Sequence, residues 1–252
     1  AYIDAHMTLW YVDVSTPGAA PVKVDKNRYY GRNSQLAAAW SPDSKWIAYT
    51  KALPNYLGAI HLFSIDSGKT TQFTDGMSDA AHPVFDAGGK YLYFTASTDI
   101  GAALQPDIHS FSHPTSRSVY LAVLSKDEPS PFAPESDEEK PNGKAGDEAK
   151  PAAEAAKPAG EAKPADETKP AAGAKPAAPA KPVEVKIDFD NILQRVLTVP
   201  MPARRYIELQ VGKSGTLIAA EVQSSLFGGS GGQGGATVHR FDLKARKADV
   251  IA

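Results

Sequence analysis

Two imidazoles stand four residues apart in His109-Ser110-Phe111-Ser112-His113. On a helix that spacing puts both rings on one face, where they could share a zinc ion. Pro114 follows at once, however, and the segment reads as a loop. A zinc site needs three or four ligands and the pattern offers two, so the histidines are assigned to polar loop contacts and no metal site is expected. Ser, His and Asp are all present, but a catalytic triad is recognised by geometry and by its nucleophile turn. No Gly-x-Ser-x-Gly elbow leads here from a strand into a helix, and no catalytic residue is assigned. The glycine run from Phe227 to Gly235 lacks the Gly-Lys-Ser/Thr ending and the following helix of a phosphate loop. It reads as a flexible connection with room for substrate contact, and no cofactor is expected. Arg204-Arg205-Tyr206 is the one grouping with binding chemistry. Paired guanidinium groups beside an aromatic ring can hold a peptide carboxylate, or they can fix a turn. Arg204 and Arg205 are therefore the candidate substrate-binding residues.

The elements that must position these residues are uneven in composition. Residues 133–186 hold 16 Ala, 9 Pro, 9 Lys and 11 acidic residues and no aromatic ring. Lys-Pro recurs at 150, 157, 163, 169, 175 and 181. Such a stretch cannot bury enough apolar surface to offset the entropy of ordering it, so it is read as a disordered, extended low-complexity insert. The remaining 198 residues carry 18 basic and 18 acidic side chains. Their electrical neutrality argues against a nucleic-acid partner held by bulk charge. The chain contains no Cys, which excludes disulfides, thiolate catalysis and Cys-ligated zinc. It has no apolar run long enough for a membrane helix, so no membrane partner is expected. The start, Ala1-Tyr2-Ile3-Asp4, has no initiator Met and looks like the interior of a longer protein.

A repeat of 45 residues underlies the rest. Trp40-Ser41-Pro42-Asp43-Ser44-Lys45-Trp46-Ile47-Ala48-Tyr49 aligns with Phe85-Asp86-Ala87-Gly88-Gly89-Lys90-Tyr91-Leu92-Tyr93-Phe94, each unit reading strand, tight turn, strand. Residues 211–220 are a weaker third copy. A second strand pair follows each first pair, as in Ile60–Phe73 and Thr237–Lys247. Four strands every 40 to 50 residues mark a β-propeller blade. With strands lettered a to d, the first full blade has a at 36–40, b at 46–51, c at 59–65 and d at 70–74. The second has a at 81–85, b at 91–96 and c at 118–124. Phe73 precedes Phe85 by the same interval as Val199 precedes Val211, which places the second d strand at 194–199 and the insert inside a c–d hairpin. The insert should then leave one end of the blades and the long b–c loops, 97–117 and 222–236, the other. Trp40, Trp46, Tyr49, Phe85, Tyr91 and Phe94 should fill the layers between blades. The fold expected is all-β: a partial propeller of two complete and two partial blades, over 1–132 and 187–252.

Several segments also resemble the bacterial tricorn-protease-like peptidases. These are Tyr49–Tyr56, Gln72–Ala80, Lys90–Thr98, Pro129–Glu139 and Ile187–Pro200. The resemblance covers nearly all of the chain except 140–183. It implies a large serine peptidase in which two propellers precede a PDZ domain and a catalytic core, with the propellers forming routes for substrates and products. None of that family's catalytic residues maps onto this chain. The function expected is a non-catalytic propeller segment forming a peptide channel or chamber. Its implied partners are peptide substrates, the rest of the same polypeptide and further copies of the protein. A cytoplasmic location follows from the resemblance, and an exported one would suit the lack of Cys equally. Two alternatives stay open: a TolB-like protein-binding scaffold, and the propeller of a prolyl-oligopeptidase-type enzyme.

Overall fold

The computed structural model describes residues 1–28, 36–98, 116–133, 183–222 and 235–251. His109, His113, most of the glycine run and residues 134–182 of the insert lie outside them. Four antiparallel sheets follow one another along the chain. The first is β1 (Tyr2–Ile3), β2 (Thr8–Tyr11) and β3 (Val22–Lys26). The second is β4 (Ala38–Trp40), β5 (Trp46–Ala52), β6 (Gly58–Ser64) and β7 (Lys69–Gln72). The third is β8 (Asp79–Phe85), β9 (Tyr91–Ser97), β10 (Ser118–Val123) and β11 (Val196–Thr198), and the fourth is β12 (Tyr206–Val211), β13 (Thr216–Val222), β14 (Ala236–Asp242) and β15 (Lys247–Val250). Each sheet pairs its strands in sequence order, as the blades of a partial β-propeller. β15 completes the fourth sheet, so three blades have all four strands rather than two.

Register explains the repeat. Trp40 pairs with Ile47 and Ile47 with Phe63; Phe85 with Leu92 and Leu92 with Ala122; Val211 with Leu217 and Leu217 with Phe241. The turn between β12 and β13 is one residue shorter than its two counterparts. An ungapped alignment of the third copy therefore slips β13 by one position, which would exchange its two faces.

Each inner blade is buried on both faces, so alternate residues of one strand enter different cores. In β9, Tyr91 and Tyr93 pack toward blade 4 with Val119, Leu121, Tyr206, Leu217 and Phe241. Leu92, Phe94 and Ala96 pack toward blade 2 with Ala48, Ile60, Leu62 and Phe73. Blades 1 and 2 share a smaller core of Leu9, Leu36, Ile47, Tyr49 and Phe63.

Two of the expected core aromatics behave differently. Trp40 and Phe85 occupy the same repeat position, yet Trp40 is 37% exposed and Phe85 only 2%. Phe85 faces blade 2, which has its first strand β4. Trp40 faces blade 1, where it meets the edge of the Tyr11 ring, centroid to centroid at 6.1 Å. Trp46 is half-buried and leans on Phe189.

The insert boundary also falls earlier than its composition indicates. Residues 183–189 form an extended strap with Val185, Ile187 and Phe189 turned toward the blade 2–blade 3 core. Val185 is 5% exposed, and its amide donates to Asp43 Oδ2 at 2.9 Å. A Cβ on Gly89, which has φ +72°, would lie 2.8 Å from Val183 and 2.9 Å from Val185. The strap thus needs a glycine at that turn. The Asp188 amide donates to Leu124 O, and Arg195 binds the carbonyls of Val123, Leu124, Asp188 and Asp190. These bonds close the stem between β10 and β11. Arg195 itself ends a single 3-10 turn, Ile192–Arg195, so the fourth strand starts at Val196 rather than 194.

Candidate functional site

The stem and the a–b turns share one end of the sheets. The b–c and d–a connections share the other, where the enclosed carboxylates Asp79 and Glu221 lie; buried Asp86 sits in an a–b turn at the first end. Asp79 opens β8, and its Oδ1 accepts the Gly58 amide of blade 2 at 2.8 Å. Gly58 is required at this point, because a Cβ would lie 2.5 Å from Ala80 O. Arg117, just before β10, donates to Asp79 O at 2.6 Å and to Asp79 Oδ2. The Arg117 backbone in turn bridges antiparallel to Arg204, with amide-to-carbonyl distances of 2.8 and 3.2 Å. Arg204 Nη1 reaches both oxygens of Glu221 at 3.1 and 3.3 Å, and Glu221 Oε2 lies 2.8 Å from His239 Nε2. One chain of contacts therefore joins blades 2, 3 and 4.

Burial works against ionisation of Glu221, but the hydrogen bonds from His239 and Arg204 outweigh it and hold its carboxyl below the usual range. The blade 1–blade 2 interface repeats the device with opposite signs. Asp25 accepts Lys51 Nζ at 2.8 Å and Tyr49 Oη at 2.7 Å. These bonds overcome the burial of Asp25 and keep its pKa low. Lys51 and Glu221 occupy one repeat position, with Ala96 between them in blade 3. His61 and His239 occupy another, with Tyr120 between.

His82 lies within this layer on a β-bulge between Ala81 and Val84. Its φ is +55°, in the left-handed region that costs an ordinary residue about 1–2 kcal/mol. Its Nδ1 is 3.0 Å from Thr95 Oγ1. Burial, reinforced by the Arg117 guanidinium, pulls its pKa down to about 4, against the opposing fields of Asp79 and Glu208.

The two residues singled out from sequence separate here. Arg204 is tied to Glu221 and to the Arg117 bridge. Arg205 is exposed, and its side chain forms no hydrogen bond or ion pair among the described residues. Asp79, His82, Arg117, Glu221 and His239 were not singled out at all. The signal was faint: charged and imidazole side chains recur at fixed repeat positions, but the one-residue slip in blade 4 hides the match of Lys51 with Glu221. No cluster of three or more His, Cys, Asp or Glu suited to a metal occurs among the described residues. No helix among them is long and apolar enough to cross a membrane.

The family model of the tricorn protease second beta propeller domain matches residues 1–252. The chain belongs to that family. A tricorn protease homolog of Saccharolobus solfataricus is 30% identical over 118 residues, covering 47% of this chain and 10% of that protein. A putative tricorn-like protease C-terminal subunit of Sulfurisphaera tokodaii is 32% identical over 119 residues, covering 47% of this chain and 13% of that protein. The crystal structure of the tricorn protease superposes with a TM-score of 0.58 at 16% identity, over 97% of this chain and 20% of that one. That superposition shows a shared fold. This tricorn-family chain spans about a tenth of the length of the curated relatives it matches.

Proposed function

We propose that this chain is a non-catalytic propeller segment of a tricorn-like serine protease, lining a route along which unfolded peptides reach an active site elsewhere in the polypeptide. The observation that carries the reading is the family match through all 252 residues. The b–c end fits the role of a rigid rim: three of its carboxylates are matched by cations in Asp79–Arg117, Glu221–Arg204 and Asp25–Lys51, and Arg205, with no ion pair among the described residues, is a cation available to a peptide carboxylate. Arg204 serves the rim instead. Residues 134–182 act as a spacer between β10 and the strap. The partners on this reading are peptides, the remaining domains of the polypeptide and further copies of it, in the cytoplasm.

The test is Arg205→Glu in the full-length protease. Degradation of a denatured polypeptide should slow several-fold, while cleavage of a tripeptide-sized chromogenic substrate stays unchanged. Equal effects on both substrates, or none on either, would remove Arg205 from the route.

A further inference from the structure

β8 is the first strand of its blade and, among the described residues, pairs only with β9, so its other edge has no strand partner there. Its one departure from regular structure is the bulge at His82-Pro83. Bulges re-aim side chains, and a left-handed non-glycine residue persists only where its surroundings hold it. Here Thr95 does the holding. The Thr95 hydroxyl donates to Ala81 O at 3.2 Å, which uses its only proton. With the proton assigned to that bond, the oxygen accepts from His82 at 3.0 Å, which places the proton of the neutral ring on Nδ1. Nε2 is left as a lone-pair acceptor that meets no donor among the described residues.

We propose that His82 Nε2 accepts a hydrogen bond from a backbone N–H of an extended polypeptide lying along the free edge of β8. The chemistry selects this ligand class. The flanking charges of Arg117 and Asp79 neutralise each other, and the Glu208 carboxylate is engaged by Gln210 at 2.7 Å. The Nε2 lone pair is itself uncharged and calls for an N–H donor, and a neutral imidazole acceptor beside an open strand edge suits the amide of an extended chain. Because the imidazole stays neutral down to about pH 4, the acceptor is present throughout the physiological range. The inference rests on the peptide-route reading and names a contact within it that recognises main chain and not a carboxylate.

The test uses the full chain, labelled with nitrogen-15 in histidine, and a 20-residue Gly/Ser/Ala peptide capped at both ends so that Arg205 has no carboxylate to bind. Long-range proton–nitrogen NMR should show His82 as the Nδ1–H tautomer, and its Nε2 signal should move as peptide is added. His82→Gly takes the φ without strain and His82→Asn tolerates it. Both should weaken binding about five- to tenfold, the value of one ordinary hydrogen bond. An Nε2–H tautomer overturns the inference. So does equal binding by wild type and both variants, which leaves the peptide route standing. Failure of the wild type to bind the capped peptide overturns both.

Discussion

Arg117 is the residue whose loss the b–c rim tolerates least. Arg117→Met keeps most of the aliphatic stem and removes the guanidinium. Asp79, 5% exposed, then retains the Gly58 amide as its one hydrogen-bond donor among the described residues. Stranding one partner of an enclosed ion pair costs about 3–5 kcal/mol. For a domain of this size each kcal/mol lowers Tm by about 2–4 °C, so the variant should melt about 6–20 °C below the parent. Adding Asp79→Asn removes the stranded charge and should recover about half of that loss, so the two substitutions are strongly non-additive in a double-mutant cycle. Urea titration followed by tryptophan fluorescence and by circular dichroism would measure it. A cost below about 1 kcal/mol for Arg117→Met, or a further loss on adding Asp79→Asn, would refute the claim that this pair locks blades 2 and 3.

Other outcomes follow from the same geometry. Val185→Ala removes two carbons' worth of burial from the strap and should cost about 2 kcal/mol by denaturant titration, whereas the exposed Lys186→Ala should cost under 0.5 kcal/mol. Replacing residues 134–182 by a Gly/Ser linker of about fifteen residues should leave the melting temperature within about 2 °C, since loop length enters closure entropy only logarithmically. Stability should also depend on pH through His82. Its folded pKa of about 4 lies below the unfolded 6.5, so the unfolded chain binds more protons between those values. The contribution is complete above pH 6.5 and is lost as pH falls to about 4. His61, whose pKa burial also lowers, contributes in the same direction, and His82→Asn should flatten the slope only in part.

The blades were legible because their causes are local. Aromatic and β-branched runs alternate with turns such as Ser41-Pro42-Asp43, where Ser41 Oγ donates to Asp43 Oδ1 at 2.5 Å and receives the Trp46 amide at 2.9 Å. Equal Phe73–Phe85 and Val199–Val211 intervals even located β11 beyond the insert, within two residues. What stayed hidden depends on neighbours far along the chain. Trp40 looks like a core residue, yet its 37% exposure is set by the strands that face it and not by its own repeat position. Val185 looks like part of a low-complexity run until Asp43, 142 residues away, receives its amide. Arg204 looked like a ligand-binding residue, but Glu221 holds it. No local pattern announces His82, because its role comes from a bulge and from Thr95 on the neighbouring strand.

On the proposed route, peptides that lie along the free edge of β8 should also pass the first strands of the neighbouring blades, β4 and β12. A photo-crosslinking residue placed at Ala38 on β4 or Glu208 on β12, in the full-length protease incubated with a denatured polypeptide, tests it most directly. The control is the same residue at Thr71 on the exposed outer strand β7. Crosslinks from positions 38 and 208 but not from 71 are the predicted result. Crosslinking from 71 alone, or equally from all three, would contradict the account.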